Sequence, residues 1–418
     1  MSASRTVPSK SSSASEVPWL PVTPRSPLPV DSGETASLRT WAEIDLDALR
    51  HNFTVLQRLA GPGRTIMAVV KADAYGHGLA TVVRALAPFR PGFGVANVRE
   101  ALVAAHHSPP ECDIFLLGPV LPQEHPLLDC PRFVIAVSTP GEAAALAHLG
   151  HPVRVHLCID TGMGRMGCLP EQALSLAEAV AGHPRLRLEG VCSHFPSADE
   201  DPDFTRDQIT RFDVLRSKFP AQMDIHLSNS AGLLEFGEAQ PFATRVRPGL
   251  TLYGISPTGS FQDELIPVLS LRSRITLVRE LPEGHGISYG RSHVTNRPSR
   301  VATVGIGYGD GYPRHLSNRG AEVLVAGRRC PVLGRVTMDQ IMIDVTDLPI
   351  TPAVGETVTL IGTDGDACIT ATELARHAGT IPWAVLTGLT GRVERVPIEG
   401  TEAPPPTNHP SYSKRNPA

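Results

Sequence analysis

Eight short apolar segments, each followed by a stretch with helical spacing, set the tightest limit on what this chain can fold into. They fall at 66–70, 93–97, 113–117, 132–137, 153–159, 186–192, 224–227 and 243–247. The first, Ile66-Met67-Ala68-Val69-Val70, is apolar on both faces and β-branched at its end, which suits a strand buried in a parallel sheet. Between the segments, 140–149, 170–181 and 203–218 carry helical spacing. Eightfold β-then-α alternation is the pattern of a closed (β/α)8 barrel, an α/β fold. Ahead of it, 40–46 alternates like a half-buried strand, and Asp47 can cap a helix with Leu49, Phe53, Leu56 and Leu59 on one side.

A barrel places its chemistry just past the C-terminal ends of its strands. The first segment stops at Lys71, which is followed by small residues and a glycine-rich turn. A lysine partly desolvated there can lose its proton and attack an aldehyde, and Tyr75 can reach a phosphate on the same cofactor. A snorkelling lysine that covers a strand end is the other reading, and this stretch alone favours neither. Asp160-Thr161-Gly162-Met163-Gly164-Arg165 follows the fifth segment, Ser193-His194-Phe195 the sixth and Ser228-Asn229-Ser230 the seventh, while Arg247-Pro248-Gly249-Leu250 ends the eighth. Loops after strands seven and eight commonly bind phosphate, a role that suits Ser230, Gly249 and Leu250. Singly, His194 reads as a core histidine, Arg165 and Arg247 as solvated charges, and Asn229-Ser230 as a helix cap. Their common position at one barrel mouth argues for a site.

A length of 418 residues suggests two domains. Segments 272–280, 301–306, 322–325, 341–345 and 357–361 read as strands separated by Gly, Asp and Pro turns without crossover helices. A mainly antiparallel β domain is therefore expected over 271–400, after a barrel over 39–270, with the strand near Trp41 joining the β domain. A helix at 370–377 and the Trp383 segment would follow. Residues 1–38, rich in Ser and Pro, and the tail 401–418 bury too little to repay chain entropy and are expected to be disordered. Net charge of -4 gives no argument for nucleic acid or an anionic membrane. No apolar run approaches the ~20 residues of a membrane span. Seven scattered cysteines without a C-x-x-C pair point to a reducing, cytoplasmic setting. The acidic run Asp199-Glu200-Asp201 reads as the start of a solvated helix, and no metal is expected.

The stretches VVKADAYGHG, DTGMGRMG, SHFPSADE, SNSAG, VRPGLTLYG, ISYGRSH, IGYGDGYPR and GRVTMDQIMIDVT, in this order between 41 and 395, resemble the alanine racemase family. The resemblance implies a homodimeric isomerase of a small amino acid that uses pyridoxal 5'-phosphate, in D-alanine biosynthesis. Lys71 would hold the cofactor as a Schiff base and act as one catalytic base. Tyr75, Asn229, Ser230, Gly249 and Leu250 would surround the phosphate, and His194 would pack on the pyridine ring. Arg165 would face the phenolic oxygen and Arg247 the ring nitrogen. Because an arginine keeps its proton, that nitrogen would stay unprotonated and side reactions would have less chance. Tyr289 would be the second base, reaching in from the partner subunit with Met338 and Asp339, the last two and Arg165 near the substrate.

Two positions depart from the family pattern. Cys158 stands where many members have a carbamylated lysine, and a neutral thiol cannot replace that charge beside Arg165. Trp383 stands where tyrosine is usual, at a position that differs between alanine and serine racemases, so serine or broader specificity is the alternative, as is a catalytically weak racemase-like protein. A single-domain cofactor carrier would lack the β domain, and a related decarboxylase would have a carboxylate where Arg247 stands.

Overall fold

The computed structural model describes residues 34–399, so most of the expected leader and the whole tail lie outside the described residues. Residues 34–38 need a correction. Glu34–Ser37 is a 3-10 turn, and Arg274 ties it down by donating from Nη2 to the Thr35 carbonyl (2.7 Å) and from Nε to the Leu38 carbonyl (2.9 Å).

Strand β1 (Thr40–Asp45) leads into helix α1 (Leu46–Ala60). Asp45, not Asp47, caps this helix: its Oδ1 accepts from the N–H groups of Asp47 (3.0 Å) and Ala48 (2.9 Å). Leu46 is already helical, so the cap falls one residue before it. Leu49, Phe53 and Leu56 are buried, and Leu59 packs against them.

The parallel strands are β2 (Thr65–Val69), β3 (Gly92–Val95), β4 (Ile114–Leu116), β5 (Phe133–Val137), β6 (Val153–Cys158), β7 (Leu186–Cys192), β8 (Asp224–His226) and β9 (Arg245–Val246). Their order is β8-β7-β6-β5-β4-β3-β2-β9. Two backbone bonds bring the ends together, Thr244 N–H to Ile225 O and Arg247 N–H to Ser228 O, both 2.9 Å. The eighth strand is shorter than expected, covering 245–246 of the expected 243–247. Outside lie α2 (Leu79–Leu86), α3 (Val98–His107), α4 (Pro140–Ala147), α5 (Ala173–Ala181), α6 (Pro202–Arg216) and α7 (Ser230–Phe236). Asp201 caps α6, its Oδ1 accepting from the Phe204 N–H (3.0 Å).

The second unit contains β10 (Leu269–Leu281), a small hairpin of β11 (Gly286–Ile287) and β12 (His293–Val294), β13 (Ser299–Val304), β14 (Glu322–Val325), β15 (Arg328–Leu333), β16 (Ile341–Asp344), β17 (Thr357–Asp364), β18 (Ala367–Ile369) and β19 (Glu394–Ile398). The sheet order is β18-β17-β14-β15-β16-β13-β10-β1-β19, and β17 also pairs with β10, closing six strands into a ring around Val323, Val325, Ile341, Ile343, Val358 and Leu360. β1 lies between β10 (antiparallel) and β19 (parallel), so the segment that opens the described chain belongs to this unit. Helices α8 (Ala371–Ala378) and α9 (Pro382–Thr387) pack on each other, and α9 brings Trp383 and Thr387 to the barrel mouth. Among the described residues no helix is long and apolar enough to cross a membrane.

Candidate active site

Just after β2 the chain does something the sequence gives no hint of. Ala72, Asp73, Ala74 and Tyr75 all have φ of 53–55°, one turn of left-handed helix with no glycine among its four residues. Each such residue costs about 1–2 kcal/mol, so the surroundings must hold the turn in place. Glu100 accepts from the N–H groups of Ala72 (2.8 Å) and Ala96 (2.9 Å), and Asp73 accepts from that of Leu79 (2.7 Å). Gly76 lies against the Leu386 carbonyl of α9 so closely that a Cβ would overlap it, and Arg395 donates to the Gly76 carbonyl (2.9 Å). Tyr253 stacks on both His77 and Tyr75, with ring centroids 4.4 and 5.0 Å away. The turn is thus clamped between barrel and β domain.

This clamp presents Lys71 to a cavity of about 580 Å³ at the barrel mouth. Nζ has no protein hydrogen-bond partner among the described residues. Burial lowers the Lys71 pKa from its ordinary range, and the cations Arg165 and Arg247 lower it further against the opposing charge of Glu100. An amine so placed releases its proton more readily than a free lysine.

Arg247 is buried in a fixed bonding pattern. Nη1 donates to the His226 carbonyl (2.6 Å) and to His226 Nδ1 (2.5 Å), while Nη2 donates to the carbonyls of Ser193 (2.7 Å) and Leu227 (2.8 Å) and to His194 Nδ1 (3.1 Å). Nε has no protein acceptor among the described residues. Because guanidinium can only donate, His226 must carry its proton on Nε2, from which it donates to His156 Nδ1 (2.8 Å). His156 then carries its own proton on Nε2, and His194 does likewise. The three imidazoles are neutral. Burial lowers the pKa of His156 to about 4 and that of His194 to about 3, with Arg247, Arg165 and Lys71 adding to the latter; His226 is pushed well down by burial and by Arg247.

The wholly buried His77 is also lowered by burial to about 4. Their folded pKa values lie below the unfolded value near ~6.5, so the unfolded chain takes up protons first as pH falls. Stability is therefore lost on acidification below about pH 6.5, by about 2 kcal/mol at pH 5 for each such histidine. Urea midpoints at pH 7 and pH 5 should show a clear drop; equal midpoints would contradict the neutral assignments.

On the far side of the cavity the groups suit an anion. Ser230 Oγ, at the start of α7, accepts from the N–H groups of Gly249 (2.9 Å) and Thr251 (3.3 Å). A Cβ at Gly249 would overlap the Tyr75 hydroxyl, so only glycine lets that hydroxyl reach the loop. Burial raises the Tyr75 pKa to about 12, which keeps it a hydrogen-bond donor. The first N–H groups of α7 and of the 3-10 turn Leu250–Tyr253 also point out of their helices. Gly249→Ala should weaken binding of a phosphorylated cofactor about 10- to 100-fold, equivalent to one hydrogen bond to a charged group. Titration of the apoprotein with cofactor, followed by absorbance, would measure this; unchanged affinity would remove Tyr75 from the anion site.

The cavity gathers Lys71, Tyr75, Arg165, His194, Asn229, Ser230, Arg247, Gly249, Leu250 and Trp383. Within this set, the Asn229 side chain is committed to the protein: Oδ1 accepts from Gly232 N–H (2.9 Å) and Nδ2 donates to the Phe195 carbonyl (3.2 Å), the helix-cap arrangement. Arg165 is exposed and has no acidic partner among the described residues, and Cys158, which borders the same cavity, is buried. Tyr289, Met338 and Asp339 stand outside the cavity. Tyr289 tips the β11–β12 hairpin with 71% of its surface exposed, Met338 is 52% exposed, and Asp339 pairs with Arg392 (2.9 Å). The sequence reading missed His226, His156, Cys192 and Glu100. His226 sits at the end of a barrel strand, so the strand-end rule could have found it.

An eight-stranded α/β barrel with a lysine, two arginines and an anion cradle at its mouth, joined to a closed β domain, defines the two-domain class of barrel racemases and decarboxylases. Residues 44–257 match the model for alanine racemase, N-terminal domain, and 268–397 that for alanine racemase, C-terminal domain. The alanine racemase of Halothermothrix orenii is 41% identical over 367 residues, covering 85% of this chain and 96% of that protein. The solved alanine racemase of Clostridium difficile 630 superimposes with a TM-score of 0.81 at 32% identity, covering 88% of this chain and 97% of the other. That of Bartonella henselae, with covalently bound pyridoxal phosphate, gives 0.79 at 28% identity, covering 86% and 100%. The chain belongs to the alanine racemase family.

Proposed function

We propose that this chain interconverts L- and D-alanine with pyridoxal 5'-phosphate, as a homodimer in which Lys71 serves one face of the substrate Cα and Tyr289 of the partner subunit the other. The observation that carries this reading is Lys71 itself, an amine lowered in pKa at the barrel mouth between two arginines and an anion cradle. When bound, the cofactor supplies an aldehyde and an electron-withdrawing ring that makes the substrate Cα–H acidic. Tyr75, Ser230, Gly249 and Leu250 would hold its phosphate, and His194 would pack on its ring. Arg247 Nε would face the ring nitrogen, since both terminal nitrogens are already used by protein acceptors. A guanidinium does not surrender its proton, so it would leave that nitrogen unprotonated.

Lys71 removes or returns the Cα proton at Nζ, and the phenolic oxygen of Tyr289 does so from the opposite face. The exposed hairpin that carries Tyr289, and the exposed Met338, suit residues that complete a neighbouring site. The Arg335 guanidinium lies beside the same hairpin, where a Cβ added to Gly290 would just touch it, and provides positive charge there. Met338 and Asp339 would line the substrate side of the partner's cavity, and Arg165 would face the cofactor's phenolic oxygen.

Lys71 and Lys218 are the two lysines within residues 34–399, which makes the cofactor attachment easy to test. Borohydride reduction of the cofactor-loaded protein, followed by peptide mass analysis, should label Lys71. Label on Lys218, or none, would overturn the reading.

Trp383 favours a second reading of the substrate. Its indole donates one hydrogen bond and accepts none, whereas a tyrosine hydroxyl does both. Trp383→Tyr should shift the ratio of L-alanine to L-serine turnover on the order of tenfold, the scale of one changed pocket contact. Equal ratios in both proteins would free Trp383 of any part in substrate choice.

A further inference from the structure

β6 and β7 pair in simple register up to Val155 opposite Leu188; then His156 pairs with Gly190, so Glu189 is an extra residue bulged out of β7. The bulge has one large consequence. Without it Cys158 would stand opposite Val191; with it, Cys158 is the register partner of Cys192. Partners on neighbouring strands lie about 4.8 Å apart and point to the same face, which falls inside the ~4.4–6.8 Å Cα separation that a disulfide spans. Both side chains border the catalytic cavity, with exposures of 8% and 7%.

We propose that Cys158 and Cys192 form a reversible disulfide site in the wall of the catalytic cavity, oxidised by small peroxides that enter through its mouth. The interaction of the two thiols with each other holds Cys192 below the usual thiol range and Cys158 well above it, and Arg247 adds to the lowering of Cys192. The pair therefore offers one nucleophilic sulfur and one protonated neighbour. Cys192 Sγ attacks a peroxide oxygen, the O–O bond breaks, and the departing hydroxide takes a proton to leave as water, which makes Cys192 a sulfenic acid. Cys158 Sγ then attacks that sulfur; the S–O bond breaks, and the hydroxide leaves as water with the Cys158 proton. Two electrons from the two sulfurs have reduced one hydrogen peroxide to two waters. A dithiol reductant reverses the link.

Cys168 provides an internal control. Its N–H donates to the Cys158 carbonyl (3.0 Å), but it is the bridge partner of Ile159 and does not border the cavity. Oxidation also removes the acidic thiol that faces Arg247 and draws together the strand ends from which the Arg165 turn and Ser193-His194 emerge. Cofactor affinity should fall several-fold; this arm rests on the proposed function, whereas the disulfide itself does not.

The test treats the full-length, cofactor-loaded protein with graded hydrogen peroxide, blocks remaining thiols with iodoacetamide, and maps unreduced peptides by mass. The expected result is a Cys158–Cys192 peptide pair two hydrogens lighter than its parts, with Cys168 alkylated and the link lost in dithiothreitol. Cys158→Ser should instead carry Cys192 on to sulfinic acid, and Cys192→Ser should leave Cys158 alkylated. A Cys192–Cys168 link, or both cavity thiols still alkylated while other cysteines oxidise, would overturn the proposal. Disulfide formation with unchanged cofactor affinity would overturn the coupling alone. Failure of the reduced protein to bind pyridoxal phosphate would count against the proposed function instead.

Discussion

Lys71→Ala is expected to lower racemisation by roughly 10³- to 10⁴-fold, the scale of losing a positioned base together with a covalent anchor. No other lysine in the described chain borders the cavity, so nothing stands ready to replace it. Lys71→Arg should fail almost as completely, because a guanidinium restores the charge but cannot shed a proton near neutral pH. A small primary amine added to Lys71→Ala should return part of the activity, which a variant lost through misfolding would not show. Steady-state turnover with and without the amine measures this, and full activity in Lys71→Ala would end the assignment.

Tyr289→Phe should cost roughly 10²- to 10⁴-fold in inversion, while exchange of the Cα proton on the Lys71 face persists. The difference follows from the two sites of the residues: Lys71 is held inside its own barrel, and Tyr289 stands on an exposed hairpin outside it. If each active site joins Lys71 of one subunit to Tyr289 of the other, inactive Lys71→Ala and Tyr289→Phe proteins must complement. A mixed dimer of twofold symmetry carries one intact site and one doubly damaged site, so random reassortment should recover about a quarter of native activity. Absence of recovery from a mixture shown to exchange subunits would contradict the composite site.

Much of the site could be read from the chain because a parallel barrel collects the residues that end its strands. Lys71, Arg165, His194, Ser230 and Arg247 come from five different strand ends and meet at one mouth. What escaped was set by tertiary context. Ala72, Asp73, Ala74 and Tyr75 carry no sign of left-handed backbone; that turn exists because Glu100, Arg395 and α9 hold it. The Arg247-His226-His156 chain joins residues far apart in sequence, and its proton positions follow only once Arg247 is placed. The Glu189 bulge shifts register by one residue, which no periodicity forecasts. In the β domain, β15 escaped because Arg328, Arg329 and Pro331 give it no apolar alternation, although Val332 and Leu333 pack inward.

Racemisation by this site requires proton transfer at both faces of one carbon, and α-proton exchange in deuterated water tests that most directly. L-alanine and L-serine would be followed by NMR, with chiral analysis of the recovered amino acid. The expected result is deuterium incorporation together with inversion for alanine. Exchange without inversion would contradict the role of Tyr289, and no exchange from a protein labelled at Lys71 would contradict the racemase reading as a whole.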